Sequence, residues 1–333
     1  MRHFIDTQQF TASELHNILE LIRCLKEAYY ESCVPQLLAN RTLGMIFEEP
    51  STRTRISFEV AMAKLGGHAL YLKPGEIHLG ERETVADTAR VVSSMCDMVM
   101  ARTLKHETLL EIARHSTVPV INGLTDFNHP TQAVCDVFTM RECLPEGKAL
   151  SDLQVTFIGD ATNVCSSLLF ITTQLGMRFV QAAPQVYQCP HEWAETAREN
   201  CKASGGSFET TEDPVWAVKN ADFIYTDLWW WIGQEEEIPD RMAAFMPRYQ
   251  VTDTLLTHAP GHSRVMHCLP ASRNVEATDQ VLDGPQSIIF RQAENRLHTE
   301  MALLLWMAGA LLQQPSEEAR RQHRRRIENC LGG

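Results

Sequence analysis

The feature that most constrains this chain is an alternation kept up from end to end: short apolar runs of strand length, separated by segments whose apolar residues recur at helical spacing. The runs are MIF, ALYL, DMVMA and VPVI, then VTFIG, FVQAA, DFIYT, RVMHCLP and SIIF. Alternation of this kind belongs to α/β proteins with parallel sheets, because joining parallel strands needs a crossover long enough to hold a helix. The turn- and charge-rich stretch LPEGKALSD (144–152) splits the runs into a set of four and a set of five. The expectation is an α/β chain with two doubly wound parallel-sheet domains linked by helices, one over 1–145 and one over 146–312. A helix over 292–312 is expected to pack back on the first domain, and 313–333 to form a helical tail. A length of 333 residues agrees, since one core rarely grows so large.

In open α/β sheets ligands gather at the carboxyl ends of the strands. The residues just past those ends are therefore the ones to inspect. After MIF comes EEPSTRTR, where Ser51, Thr52, Arg53, Thr54 and Arg55 open a helical pattern. The first N–H groups of a helix are unpaired and lie at its positive end, so an anion docked there gains hydrogen bonds and charge complementarity. Serine and threonine are also ordinary helix caps; it is the two arginines inside the cap that favour a phosphate cradle. DMVMA is followed by Arg102, Thr103, Lys105 and His106; VPVI by NGLTDFNHPTQ; VTFIG by Asp160 to Ser167; DFIYT by DLWWWIG; and RVM runs into HCLP.

Net charge narrows the partners. At −12 the chain is a poor match for nucleic acid and attracts a cationic substrate more readily than an anionic one, so an anion must be held by a local cluster. The ten cysteines include no C-x-x-C pair and no zinc-like spacing with histidine, and they read as reduced, mostly buried thiols. No metal or other cofactor is expected. MRHFIDTQQF lacks the apolar centre of a signal peptide, and the apolar stretch 301–312 is too short to span a bilayer, so the reading is cytoplasmic with no membrane partner. The charge-dense C-terminus reads as a solvated or subunit-contacting helix, with Glu317 and Glu318 preceding Arg320 and Arg321 at helical spacing. A dehydrogenase is disfavoured because GDATNVCSS lacks the G-x-G-x-x-G turn.

STRTR, HPTQ, HCLP and AENRLH, in this order and spread over most of the chain, resemble the aspartate and ornithine carbamoyltransferase family. The resemblance implies an N-terminal carbamoyl-phosphate domain, a C-terminal acceptor domain and a homotrimer with sites between subunits. It implies that Ser51, Thr52, Arg53 and Thr54 bind the phosphate, with Arg55 and Arg296 also among the carbamoyl-phosphate-binding residues. Arg102 would bridge phosphate and carbonyl oxygen, and His129 and Gln132 would face the carbamoyl group. Arg102, His129 and Thr54 are the candidate catalytic groups. His78 stands where the family reaches a glutamine toward the ligand, and Cys268 and Leu269 would offer backbone carbonyls. Cys268 reads equally as a small buried thiol, since carbamoyl phosphate is already activated and needs no covalent enzyme intermediate.

Acceptor choice turns on Asp227 to Gly233. Ornithine-using members carry a Ser-Met pair where this chain has Trp231 and Ile232. GDATNVCSSL, YLKPGEIHLG, ADFIYTDLW, MPRYQV and DGPQSI are more similar to the putrescine-using branch. Asn163, Asp227, Trp231, Cys268, Leu269 and Pro270 are the candidate acceptor residues, with putrescine the favoured amine and ornithine or another amine the alternative. The Trp triplet either lines the site or packs, and the Glu235–Glu237 run either meets an ammonium or is a solvated turn. A catalytically silent regulatory paralogue would have no physical need to keep these charged groups around one empty site.

Overall fold

The apolar run TLGMIF forms β1 (Thr42–Phe47), buried along nearly its whole length, and the polar turn after it starts α2 (Thr52–Lys64). The computed structural model describes residues 2–77, 79, 82–231, 233–312 and 316–330. Before β1 lies α1 (Ala12–Tyr30); after α2 come β2 (His68–Leu72), α3 (Val85–Met95), β3 (Met98–Arg102), α4 (His106–His115), β4 (Val120–Leu124) and α5 (Pro130–Glu142). The second half runs β5 (Gln154–Ile158), α6 (Asn163–Gln174), β6 (Arg178–Ala182), α7 (His191–Ser204), β7 (Ser207–Thr211), α8 (Pro214–Val218) and β8 (Phe223–Thr226). Then follow α9 (Ile238–Phe245), α10 (Asp253–Leu256), β9 (Arg264–Met266), α11 (Asp279–Leu282), α12 (Ile289–Ala308) and α13 (Glu317–Cys330).

All described pairings within the two sheets are parallel, in the orders β2-β1-β3-β4 and β7-β6-β5-β8-β9. Each sheet starts from an interior strand and reverses direction, so crevices open between β1 and β3 and between β5 and β8, where such folds bind ligands. Sets of four and five strands are present, with one exchange. SIIF makes a single bridge, Ser287 to Val265, and then enters α12, while SFETT, largely exposed, is the edge strand β7. An edge strand needs no apolar run, which is why hydrophobicity alone passed over it.

Helix α12 packs against α1, α2 and α5, and α5 packs against α6. One core runs through these contacts, including Met45 and Phe58, Val137, Phe157, Leu168 and Leu304. Of the nine cysteines whose side chains are described, all free, only Cys96, Cys135 and Cys165 are buried, which corrects the expectation of mostly buried thiols. Thiols are small enough to sit half-exposed on helix flanks at little cost. No described helix is long and apolar enough to cross a membrane.

Candidate active site

The carboxyl ends of both sheets meet at one pocket. Its walls include Ser51, Arg53 and Thr54 from the start of α2, Arg102 from the end of β3, His129 and Gln132 from the start of α5, and Arg296 from α12. The opposite wall is made by Asn163, Asp227, Trp230 and Trp231, with Cys268, Leu269 and Pro270 beside them. Thr52 and Arg55 are exposed outside this lining; Arg55 pairs with Glu59 and lies over the Tyr71 ring. His78, like Ile232, lies outside the described residues.

Ser51 is the N-cap of α2 yet makes no side-chain capping bond, so its hydroxyl remains available beside the unpaired N–H groups. Three guanidinium groups converge here. Burial, then the charges of Arg296 and Arg53, push Arg102 down to about 10, and burial also lowers Arg53. An arriving anion relieves that crowding. Burial works against the Arg296 charge as well, but Glu300, bonded to its guanidinium, together with Cys135 and Asp136 offsets it and leaves Arg296 above its ordinary value.

Arg296 donates to Gln132 Oε1 at 2.6 Å and toward His129 Nε2 at 3.3 Å. An imidazole accepting at Nε2 carries its proton on Nδ1, and Nδ1 is buried with no partner. Burial, then the nearby arginine charges, hold His129 well below its usual value. It is a neutral N–H donor facing a cationic pocket. Arg102 Nε and Asn163 Oδ1 are likewise buried without partners.

On the other wall Asn163 Nδ2 donates to the Thr125 carbonyl at 2.6 Å, leaving its unpartnered oxygen as an acceptor. Asp227, raised by burial despite His267 and the Leu228 N–H, receives the Cys268 thiol at 3.2 Å. Burial, then Asp227, push that thiol well above its ordinary range, so it is a protonated donor and a poor nucleophile. Asp227, His267 and Cys268 bring ligand atoms within 4.8 Å of one another. Both imidazole nitrogens of His267 are already engaged: Nδ1 accepts the Leu269 N–H at 2.8 Å and Nε2 meets Glu276 at 3.1 Å. That imidazole instead anchors Leu269, which holds φ +60°, a strained region for a non-glycine residue.

The Trp triplet divides its labour. Trp229 is fully buried and stacks on Phe245, while Trp230 and Trp231 line the pocket. Buried Arg241 pins this turn, donating to the Trp229 carbonyl at 2.7 Å and pairing with Asp160 and Glu237. Glu235 to Glu237 are exposed and outside the pocket lining. Sequence reasoning missed Thr162, Val164 and Leu228 on the walls and Arg241 behind them, and left open whether Trp230 lines the site or packs. Arg241 meets Asp160 across 81 positions, and no local pattern signals that.

Two parallel α/β units joined around an arginine-lined pocket define a class of α/β protein suited to holding an anion where its sheets meet. The chain belongs to the aspartate/ornithine carbamoyltransferase family: the family's carbamoyl-P binding domain matches residues 2–142 and its Asp/Orn binding domain residues 151–307. Among relatives, it is 54% identical to a putrescine carbamoyltransferase of Mycoplasma capricolum over 336 residues, covering 98% of this chain and 92% of that one. It is 46% identical to the anabolic ornithine carbamoyltransferase of Pyrococcus furiosus, over 93% of this chain and 97% of the relative. The Pyrococcus furiosus ornithine carbamoyltransferase structure superposes with a TM-score of 0.88, covering 92% of this chain and 97% of that one. That of the anabolic enzyme from Campylobacter jejuni gives 0.87 at 37% identity, covering 93% and 100%.

Proposed function

We propose that this protein transfers the carbamoyl group between carbamoyl phosphate and putrescine, with N-carbamoylputrescine and phosphate as the other pair. The observation that carries the reading is the polarity of the pocket. The cations among its described lining residues, Arg53, Arg102 and Arg296, all lie on the anion side, and the opposite wall offers Asp227, the Asn163 oxygen and two indoles. A diamine suits that wall: its methylenes lie along Trp230 and Trp231, and its far ammonium meets carboxylate or carbonyl. The α-carboxylate of ornithine would find no cation of its own among the described residues of that wall.

In the forward direction the amine lone pair attacks the carbonyl carbon, the C–N bond forms, and the C–O bond to phosphate breaks. Negative charge gathers on the carbonyl oxygen, where Arg102, Thr54 and the Nδ1–H of His129 are available as donors. Arg296 already occupies one lone pair of Gln132 Oε1, and the other suits the carbamoyl NH₂. Ser51, Arg53 and the start of α2 receive the leaving phosphate, which is a sufficient acceptor for the amine proton. Residues 1–145 would form the carbamoyl-phosphate domain and 146–312 the acceptor domain, in a cytoplasmic homotrimer. Phosphate release from carbamoyl phosphate across a panel of putrescine, ornithine, lysine and other amines tests the reading. Turnover with putrescine is expected, and phosphate release with none of the amines would overturn it.

A further inference from the structure

Behind Gln132 runs a buried chain of polar groups whose other members bind no ligand in the reading above. Gln132 Nε2 donates to Asp136 Oδ1 at 2.8 Å, and Gln292 Nε2 donates to the same oxygen at 2.6 Å. Gln292 also lies 3.0 Å from the Tyr225 hydroxyl, and its own oxygen accepts the His267 N–H at 3.0 Å. His267 in turn accepts the Leu269 N–H. The path thus leads from α5, through α12, to the turn after β9, and Gln132, Asp136, Gln292, His267 and Tyr225 are all buried.

This chain decides how Gln132 faces the pocket. An amide has a donor end and an acceptor end of nearly the same shape, and only its neighbours choose between the two orientations. Arg296 can only donate to Gln132, and an ionised Asp136 can only accept from it. Turning the amide over would set its NH₂ against a guanidinium and its oxygen against a carboxylate. The oxygen is therefore held toward Arg296 and the carbamoyl position. Through the shared Oδ1, the same carboxylate orients Gln292, whose oxygen fixes the backbone of the HCLP turn.

We propose that Asp136 and Gln292 are positioning residues that lock Gln132 for the carbamoyl group and tie it to the Leu269 turn, so that both ends of the pocket are set together. The inference rests on the carbamoyltransferase reading and assigns that reaction two residues outside the pocket lining. Once protonated, the Asp136 carboxyl can donate as well as accept, so only its ionised form fixes the Gln132 amide one way round. Burial pushes the carboxyl up to about 7, against the pull of Gln132, Gln292, Tyr225 and the Arg296 charge. The groups facing it are Arg296 from α12, with Glu300 behind it, Tyr225 from β8, Cys268 after β9 and Cys135 on its own helix. The two thiols and the phenol are all raised by burial first, and Glu300, raised by burial too, is held back by the Arg296 charge and hydrogen bonds; Asp136 is the carboxyl that meets the two glutamine amides.

The test compares Asp136→Asn and Gln292→Met with the wild type in the full-length enzyme, by putrescine-dependent phosphate release over a pH series and by calorimetry with inorganic phosphate. Asp136→Asn is expected to lose about 10- to 100-fold in kcat, as misplacement of a substrate-orienting group does. It should keep its affinity for inorganic phosphate, and its profile should lack the rise through neutral pH that ionisation of Asp136 gives the wild type. Gln292→Met, which keeps the volume, should raise KM for putrescine more than for carbamoyl phosphate, and it carries the test if Asp136→Asn fails to fold. Wild-type kinetics in a folded variant overturn the proposal, as does a parallel loss of phosphate affinity and kcat with the wild-type pH profile kept. A wild-type enzyme that binds phosphate but transfers to no amine overturns the functional reading, and this inference with it.

Discussion

The Arg296 guanidinium reaches Nε2 of His129 across 3.3 Å, and the imidazole proton is thereby left on Nδ1. Burial and the surrounding arginines depress the ionisation of His129, so the sign is clear: the ring stays neutral as pH falls through the ordinary histidine range. Ring-nitrogen NMR at mildly acid pH should show a neutral Nδ1–H tautomer. His129→Ala should lower kcat by about 10²- to 10³-fold, the usual effect of losing an oxyanion donor, while phosphate affinity changes little. An imidazolium signal at that pH would contradict the assignment.

Arg53→Ala and Arg102→Ala should each abolish transfer while keeping a cooperative melting transition, because both side chains face the ligand pocket rather than the apolar core. Inorganic phosphate should raise the melting temperature of the wild type by binding only the folded state. That rise should shrink in both variants. Near-normal turnover in either one removes the phosphate cradle from the mechanism.

Much of this site was legible because anion chemistry leaves local marks. Ser51, Arg53 and Thr54 sit within one helical turn, and His129 and Gln132 within another, so sequence spacing reports them directly. Arg296 was reached through a motif, although its work depends on Glu300 one turn later on α12. Residues that act through long-range burial were not legible. Asp136 looks like an ordinary helix carboxylate until α12 delivers Gln292 to it across 156 positions. The Trp triplet could not be apportioned from sequence either, because whether an indole packs or lines a pocket depends on the direction of a turn that Arg241 pins from behind.

A buried carboxyl whose pKa is raised stabilises the fold fully below its unfolded-state pKa, and that contribution is lost as pH climbs toward about 7. Asparagine at position 136 has no such dependence. Relative to the wild type, the melting temperature of Asp136→Asn should therefore rise between acid and neutral pH and level off above it. A difference that stays constant across the series would mean that Asp136 ionises in the folded protein as it does in the unfolded chain.

Binding should be ordered, with carbamoyl phosphate first. Its charge offsets the Arg53, Arg102 and Arg296 cluster, which otherwise repels an approaching diamine cation. Calorimetry should detect putrescine binding strongly only when the anion site is filled. Tight putrescine binding to the empty enzyme would break this order.

The acceptor is the central claim. An amine with a pKa near ~10.4 is neutral in only about one molecule in a thousand at pH 7, so the site must hold one charged end and present a neutral one. Asp227 favours the charged form of the amine it touches, which suits an anchoring role at the far end of a diamine. Trp231→Ser combined with Ile232→Met should narrow the preference for putrescine by restoring the side chains that ornithine-using members carry. The direct measurement is kcat/KM for putrescine and ornithine, side by side on the wild-type enzyme. The account predicts putrescine ahead by at least roughly a hundredfold, about 2.7 kcal/mol of transition-state preference; an enzyme that prefers ornithine would contradict it.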